Sequence, residues 1–520
     1  MDTHQLEDSK TEVRPLTKRS IQEYIDETPS WSDGTETSMT PMTSMQWRIW
    51  WLAAAGKFFE GLVVFMTGVA LPLIASEFSL SAAAHGAVSA ATLAGILVGA
   101  TALGGMADLY GRKVMFIVEM VLFIAFLVAL TFSPNFTFLV ICLFGLGVSL
   151  GCDYPTAHMI ISESISSKAR GKLVLAAFGF QAVGALAGTA VGFLILGYKP
   201  DIGAWRLMYA SAVVPAAFVL IARFFITESP HWLLSMGRKA DAERETQRLL
   251  WREPLYPKQV ALHIDEDEDA ASDGEAHRNH EHQEHHQHHH KKHHHKEKGY
   301  LALFKHKNRR ATILASVPWF LQDLGTYGIG IFTPTILASV IGKSREHAMN
   351  VADLVQSDLV AAEGAAFIDV LLIVGVVFAV MLADVAGRIR LQVIGFIGCA
   401  LGLLLASLSV DCDGPTKTLF IFLGFMMFSF MTNMGPNAQT YLLAGEVFPT
   451  HVRGKGAGFA ASFAKLGAVL TAFLFPVLLA DIGTRWLLYG LVATSLLGAV
   501  VTWIYRIETT GVNLESIGNE

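Results

Sequence analysis

The sequence predicts an all-α membrane protein whose twelve transmembrane helices form two six-helix lobes. Three observations carry that expectation: long apolar runs recur, a polar interval divides them six and six, and short motifs repeat about 280 residues apart. Of 520 residues, 52% are hydrophobic and only 16% charged, with a mean hydropathy of +0.44. A bilayer core needs about 20 apolar residues per helix. Twelve runs meet that need, at 48–76, 84–106, 114–132, 136–161, 173–197, 204–226, 311–341, 359–383, 390–409, 417–443, 457–480 and 485–506. Inside lipid the backbone must satisfy itself, so such runs are helices or barrel strands, and these are too long and evenly apolar for strands.

The runs set the organisation. Residues 1–47 form a polar tail without the apolar core of a signal peptide, so the first span is expected to act as its own insertion signal. Residues 48–226 form the first lobe, 227–308 a central loop, 309–506 the second lobe and 507–520 a short C-terminal tail. Short loops carrying Arg112, Lys113, Lys168, Arg170, Lys172, Arg388, Arg390, Arg453 and Lys455 alternate with loops holding few cations. The cation-rich side is expected to be cytoplasmic. An even number of spans places both termini there, in a multi-pass protein of the cell membrane. Cys142, Cys152 and Cys399 lie inside apolar runs and, with Cys412, show no metal or disulfide spacing. No cofactor and no nucleic-acid partner is expected; the net charge of −6 reflects mainly the tails and the loop.

The halves echo each other. "ESISSKARGK" (163–172) matches "EVFPTHVRGK" (446–455), pairing Glu163 with Glu446 and Arg170 with Arg453. "GGMADLYGRK" (104–113) is echoed by "AVMLADVAGRIR" (379–390), pairing Asp108 with Asp384 and Arg112 with Arg388. Two echoes at nearly one offset point to duplication. Parallel repeats of this kind place a substrate near mid-membrane between the lobes.

The central loop opens with an amphipathic stretch, "ESPHWLLSMGRKADAERETQRLL", followed by an acidic run and a histidine tract. Eleven of the 19 histidines fall between His277 and His295. Imidazole suits Zn²⁺ or Ni²⁺. The tract lacks spaced ligands and lies outside the membrane core, so it reads as a low-complexity linker with weak, incidental metal affinity, and no metal site is expected.

The pattern Gly-x-x-x-Asp-x-x-Gly-Arg-Lys, over Gly104, Asp108, Gly111, Arg112 and Lys113, resembles a signature of the major facilitator superfamily. "ESPHWLL" and "GEVFPTHVRGKG" resemble further signatures of its sugar-porter and phosphate-porter branch. A gating and structural role is expected for Asp108, Arg112, Glu163, Arg170, Asp384, Arg388, Glu446 and Arg453.

Ionisable residues inside the spans are the informative ones, because a charge at the bilayer centre costs at least ~2.5–3.5 kcal/mol. They are Lys57, Glu60, Glu119, Asp153, Asp323, Asp369 and Lys465. "GLGVSLGCDYPTAHMIISE" resembles the span-four signature of the phosphate:proton symporter family, with Cys152 where that family has glycine. Gln181 follows in "FGFQAVGALAG"; Trp319, Asp323 and Tyr327 stand at i, i+4 and i+8 of span seven, on one helical face. The resemblance covers roughly 48–510. It implies substrate contacts from Tyr154, Gln181, Trp319, Asp323, Tyr327, Asn437 and Lys465. It also implies proton handling by Asp153 and Glu119. Span one departs: an aspartate-rich segment of the family is replaced by "KFFEGLVVF", where Glu60 stands in for an aspartate and Lys57 is new.

The residue types suit an oxyanion independently. Lys465 supplies a cation, and tyrosine hydroxyls, the Trp319 indole and two amides supply donors. Asp323 fits beside phosphate once the substrate carries a proton, since a phosphate ester titrates near pH ~6. No nucleotide-binding loop of the type G-x-x-x-x-G-K-[ST] is present, so energy is expected from a proton gradient. The expected function is proton-coupled symport, with inorganic phosphate the leading substrate, a small organic acid or a sugar the alternative, and a non-transporting receptor a further one. No nucleophile–base pair appears in the spans, so an enzyme is not expected.

Overall fold

The structure is a computed structural model that describes residues 19–26, 41–103, 106–251, 260–261, 300–341, 351–449 and 452–510. The His277–His295 tract and most of both tails lie outside the described residues, as do the side chains of Asp108, Tyr154, Asp384 and Arg453.

Twelve spanning helices are present among the described residues. They are α1 Ser44–Phe78, α2 Ala82–Thr101, α3 Arg112–Thr131, α4 Phe136–Ser164, α5 Ser167–Tyr198 and α6 Ala204–Arg223 in the first half. The second half holds α7 His306–Ile341, α8 Val351–Ala386, α9 Arg388–Leu408 and α10 Gly414–Glu446. A last helical stretch, Arg453–Ile504, breaks at Gly483 (φ 75°, ψ 169°) into α11 (453–482) and α12 (484–504). Each corresponds to one apolar run of the sequence. Two short helices, Pro230–Ser235 and Lys239–Leu249, form from the amphipathic opening of the central loop.

The helix starts follow from local chemistry. Thr43 caps α1 with a reciprocal box: its hydroxyl accepts from the Gln46 amide at 3.1 Å, while Gln46 Oε1 accepts from the Thr43 amide at 2.8 Å. Ser81 and Asn135 cap α2 and α4 through their side-chain oxygens.

Within the first lobe α1 packs on α5, α2 on α4, and α3 on α4; within the second α7 packs on α11, α9 on α10, and α8 on α10. Small residues allow these approaches, as expected where lipid removes the hydrophobic drive for helix association. At the α1–α5 contact Gly184 faces the Phe58 carbonyl and Gly188 the Leu62 carbonyl, leaving no room for a methyl group. That contact brings Glu60 of α1 beside Gln181 of α5.

The lobes meet on both sides of the membrane midpoint. Toward the α1 C-terminal end, Gly68 faces the Ile331 carbonyl and Phe65 lies over Gly330 of α7. Toward the other face, Leu175 of α5 packs with Ala379 and Ala383 of α8 and Ala438 and Leu442 of α10. Nearby, Phe178 stacks on Tyr441 at 4.3 Å between ring centroids.

The internal repeat is carried into three dimensions. In the first lobe Arg112 Nη2 donates to Glu163 Oε1 at 3.3 Å, and Ser229 Oγ donates to Glu163 Oε2. In the second, Arg388 Nη2 donates to Glu446 Oε1 at 3.0 Å, and Thr509 Oγ1 donates to Glu446 Oε2 at 2.6 Å. Glu228 accepts from the Lys113 amide at 3.0 Å, and Glu508 accepts from the Arg388 amide at 3.1 Å. Gly111 (φ 100°) and Gly387 (φ 89°) make the same left-handed turn before each arginine, which glycine adopts without strain. Burial pushes the Glu228 carboxyl up, opposed by the Lys113 and Ser229 amides. Arg170 instead reaches Gln22 of the short helix Ile21–Asp26, donating to its Oε1 at 3.0 Å.

Gly184→Ala is expected to force α5 off α1 and destabilise the protein by about 1–3 kcal/mol, the usual cost of overpacking. Thermal unfolding in detergent checks this, with Gly458→Ala, where nothing lies within 4 Å, expected to melt like the parent.

Candidate functional site: a buried charge cluster between the lobes

Glu60, Gln181, Tyr327 and Lys465 each sit near the middle of α1, α5, α7 and α11, and the fold brings them together at the lobe interface. Lys465 Nζ donates to the Tyr327 hydroxyl at 2.5 Å and lies 3.5 Å from Glu60 Oε1 and 3.6 Å from Asp323 Oδ2. The Tyr327 hydroxyl donates to Glu60 Oε1 at 3.0 Å. Gln181 Nε2 donates both to Tyr327, at 3.0 Å, and to Glu60 Oε1, at 3.2 Å. The second Glu60 oxygen accepts from Lys57 Nζ at 3.2 Å. Lys57, Glu60, Asp323 and Lys465 are all 4% exposed or less.

The charges balance: two ammonium groups face two carboxylates, and all four side chains are buried. That balance is what makes four ionisable side chains tolerable at mid-membrane. Lys465 also lies over the Tyr327 ring at 4.4 Å from its centroid, a cation–π contact that adds to the hold on the ammonium.

A second charge cluster lies wholly in the first lobe, nearer the end of α4 that the sequence assigns to the cytoplasm. Arg223 of α6 pairs with Glu119 of α3 at 2.6 Å and with Asp153 of α4 at 3.3 Å. The Arg223 guanidinium lies 3.4 Å from the Phe116 ring centroid, and the side chain is fully buried. Glu119 and Asp153 thus converge on one guanidinium. Lys57 is the electrostatic link between clusters, interacting with Asp153 as well as with Glu60 and Lys465.

The other expected substrate residues fall in neighbouring networks. Asn437 donates to Asn433 Oδ1 at 2.7 Å and accepts from Gln322 Nε2 at 3.1 Å. Trp319 is buried with its ring edge-on to Tyr441 at 6.0 Å. Asp369 of α8 accepts from Thr189 of α5 at 2.7 Å, a buried bond between the lobes. The sequence offered a signal for Arg223, an arginine inside the sixth run, but its place near the run's end reads as a side chain snorkelling to the interface. Thr189 carried no signal, because a lone threonine in a helix satisfies itself on the backbone.

The family profile described as "Sugar (and other) transporter" matches residues 49–520. The chain belongs to this family. Among curated relatives of the transporter, a putative metabolite transport protein of Escherichia coli, YaaU, is 25% identical over 92% of this chain and 95% of its own. A putative inorganic phosphate transporter of Schizosaccharomyces pombe is 27% identical, covering 92% of this chain and 88% of its own. A repressible high-affinity phosphate permease of Neurospora crassa is 27% identical over 79% and 73%. Among solved structures, the proton:xylose symporter XylE superposes with a TM-score of 0.68 at 19% identity, over 92% of this transporter and 99% of XylE. That likeness establishes the major facilitator fold.

Arg223→Met should strand two facing buried carboxyls and cost the ~3–5 kcal/mol typical of a broken buried pair. Thermal unfolding of the purified transporter checks it, with Arg223→Met/Glu119→Gln/Asp153→Asn expected to recover most of the loss.

Proposed function

We propose that the transporter is a proton-coupled symporter of an oxyanion, with inorganic phosphate the leading substrate. It sits in the cell membrane with both termini and the central loop on the cytoplasmic side, as the cation-rich loops suggest. The observation that carries the reading is the placement of Lys465. A buried ammonium at the lobe interface is held by two carboxylates and a tyrosine hydroxyl, with Gln181 adjacent. Those are the groups an oxyanion needs, and they are occupied by the protein's own acids. Phosphate is favoured over a simple carboxylate by Asp323: a protonated phosphate oxygen can donate to it, whereas a carboxylate substrate has no proton to offer. The S. pombe and N. crassa relatives are named for phosphate.

The mechanism follows from charge. Protonation of Glu60 removes its claim on Lys465, and the anion takes its place among Lys465, Tyr327, Gln181 and Asp323. Trp319, Asn437 and Tyr154 are the further substrate contacts in this reading. Glu119 and Asp153, both paired with Arg223, share a proton and pass it toward the cytoplasm. Neutralising the site loosens the bonds between lobes, which then rock to expose it on the opposite face. Each net positive charge moved inward across 100 mV gains about 2.3 kcal/mol. The arginine–glutamate pairs at Arg112–Glu163 and Arg388–Glu446 hold each lobe rigid during that motion, with Asp108, Arg170, Asp384 and Arg453 serving the same role. A small organic acid or sugar is the second reading, favoured by relatives such as YaaU that are named for metabolites.

Proteoliposomes with an inward proton gradient should accumulate labelled phosphate, and Lys465→Ala and Asp323→Asn should each abolish uptake while the protein remains folded. Normal phosphate uptake by both variants would refute the site. Stronger competition by excess lactate, benzoate or glucose than by unlabelled phosphate would select the second reading.

A further inference from the structure

The proposed function uses one lysine, but the cluster contains two. Lys57 of α1 and Lys465 of α11 come from different lobes and bind different oxygens of one carboxylate, at 3.2 Å from Glu60 Oε2 and 3.5 Å from Glu60 Oε1. We propose that Lys57 is a second cationic ligand for the transported anion, and that Glu60 is the stand-in that holds the seat between the two lysines when no substrate is bound. This rests on the anion-transport reading above.

The geometry sets the ligand class. Two ammonium groups separated by the width of one carboxylate suit a compact oxyanion, phosphate or a carboxylate, that offers two oxygens to the same gap. The seat joins the lobes, so an anion in it is gripped by one cation from each. Charge sets the coupling. Lys57 and Lys465 balance Glu60 and Asp323, so the empty cluster is neutral. A proton on Glu60 leaves one positive charge in excess, which a monoanion cancels; each further negative charge requires a further proton, on Asp323.

The remaining groups around the seat do not alter the count. Asp153 acts on Lys57, and Arg223 faces Asp153 and Glu119 together, so that cluster is neutral with the one proton that the reading above gives those two carboxyls. Tyr327 and Tyr441, the other titratable groups that interact with Glu60, are hydroxyls. The competing role for Lys57 is simple neutralisation of Glu60, and the two roles separate when Glu60 has no charge to neutralise.

The test is equilibrium binding of labelled phosphate to the purified full chain, in the parent and in Glu60→Gln, each with and without Lys57→Met. Lys57→Met is expected to weaken binding about tenfold or more in both backgrounds, the loss of one charge-assisted hydrogen bond, and Lys57→Arg to restore it to within about threefold. Equal affinity of Glu60→Gln and Lys57→Met/Glu60→Gln would overturn the proposal, because Lys57 would then serve only Glu60. The double variant leaves no lone buried charge at this pair, so it keeps the comparison interpretable if Lys57→Met alone fails to fold. If the parent binds lactate or benzoate in place of phosphate, the same comparison with that anion decides. Binding of neither phosphate nor these carboxylates overturns the anion reading and Lys57's role together, whereas phosphate binding indifferent to position 57 overturns Lys57 alone.

Discussion

The architecture turns on one buried carboxylate. Glu60 accepts from Lys57, Gln181, Tyr327 and Lys465, which belong to three helices besides its own neighbour in α1 and to both lobes. In a medium that cannot solvate charge, an ion pair is strong and an unpaired ion intolerable. The two lobes are therefore joined at mid-membrane by groups that cannot separate without a replacement charge or a proton.

The flanking contacts follow from that constraint. Close backbone packing of α1 on α5, permitted by Gly184 and Gly188, fixes Glu60 against Gln181. Between the lobes lie mostly apolar contacts, among them α2 against α11, α5 against α8, Phe65 over Gly330 and Phe178 on Tyr441. Apolar contacts of this sort gain little over lipid and so separate at low cost. The polar bonds that do cross, among the central cluster and at Thr189–Asp369, include carboxylates that a proton can silence. The strong fixed pairs, Arg112–Glu163 and Arg388–Glu446, lie within lobes rather than between them.

The repeat was partly legible. The sequence pairs Glu163 with Glu446 and Arg112 with Arg388 but gives no hint that these echoes meet. In the fold, each arginine reaches the glutamate of its own lobe, and a third echo emerges that sequence comparison alone did not isolate: Glu228–Ser229 corresponds to Glu508–Thr509. The third echo is short and lies among dissimilar neighbours, so only its identical partners reveal it.

The sequence by itself determined the membrane class, the number and order of spans, the two halves, and the burial of Lys57, Glu60, Glu119, Asp153, Asp323, Asp369 and Lys465. Those follow from local properties: apolar run length against bilayer thickness, and the cost of a charge within a run. Tertiary structure alone decided the pairings. Nothing in span one indicates that Glu60 would meet Lys465, 405 positions away, or that Lys57 would share its carboxylate. Nothing in span six indicates that Arg223 would turn inward to hold Glu119 and Asp153 rather than rise to the interface. Hydropathy reports how deep a residue lies, but the partner of a buried charge depends on which helix faces it, and that is settled by packing.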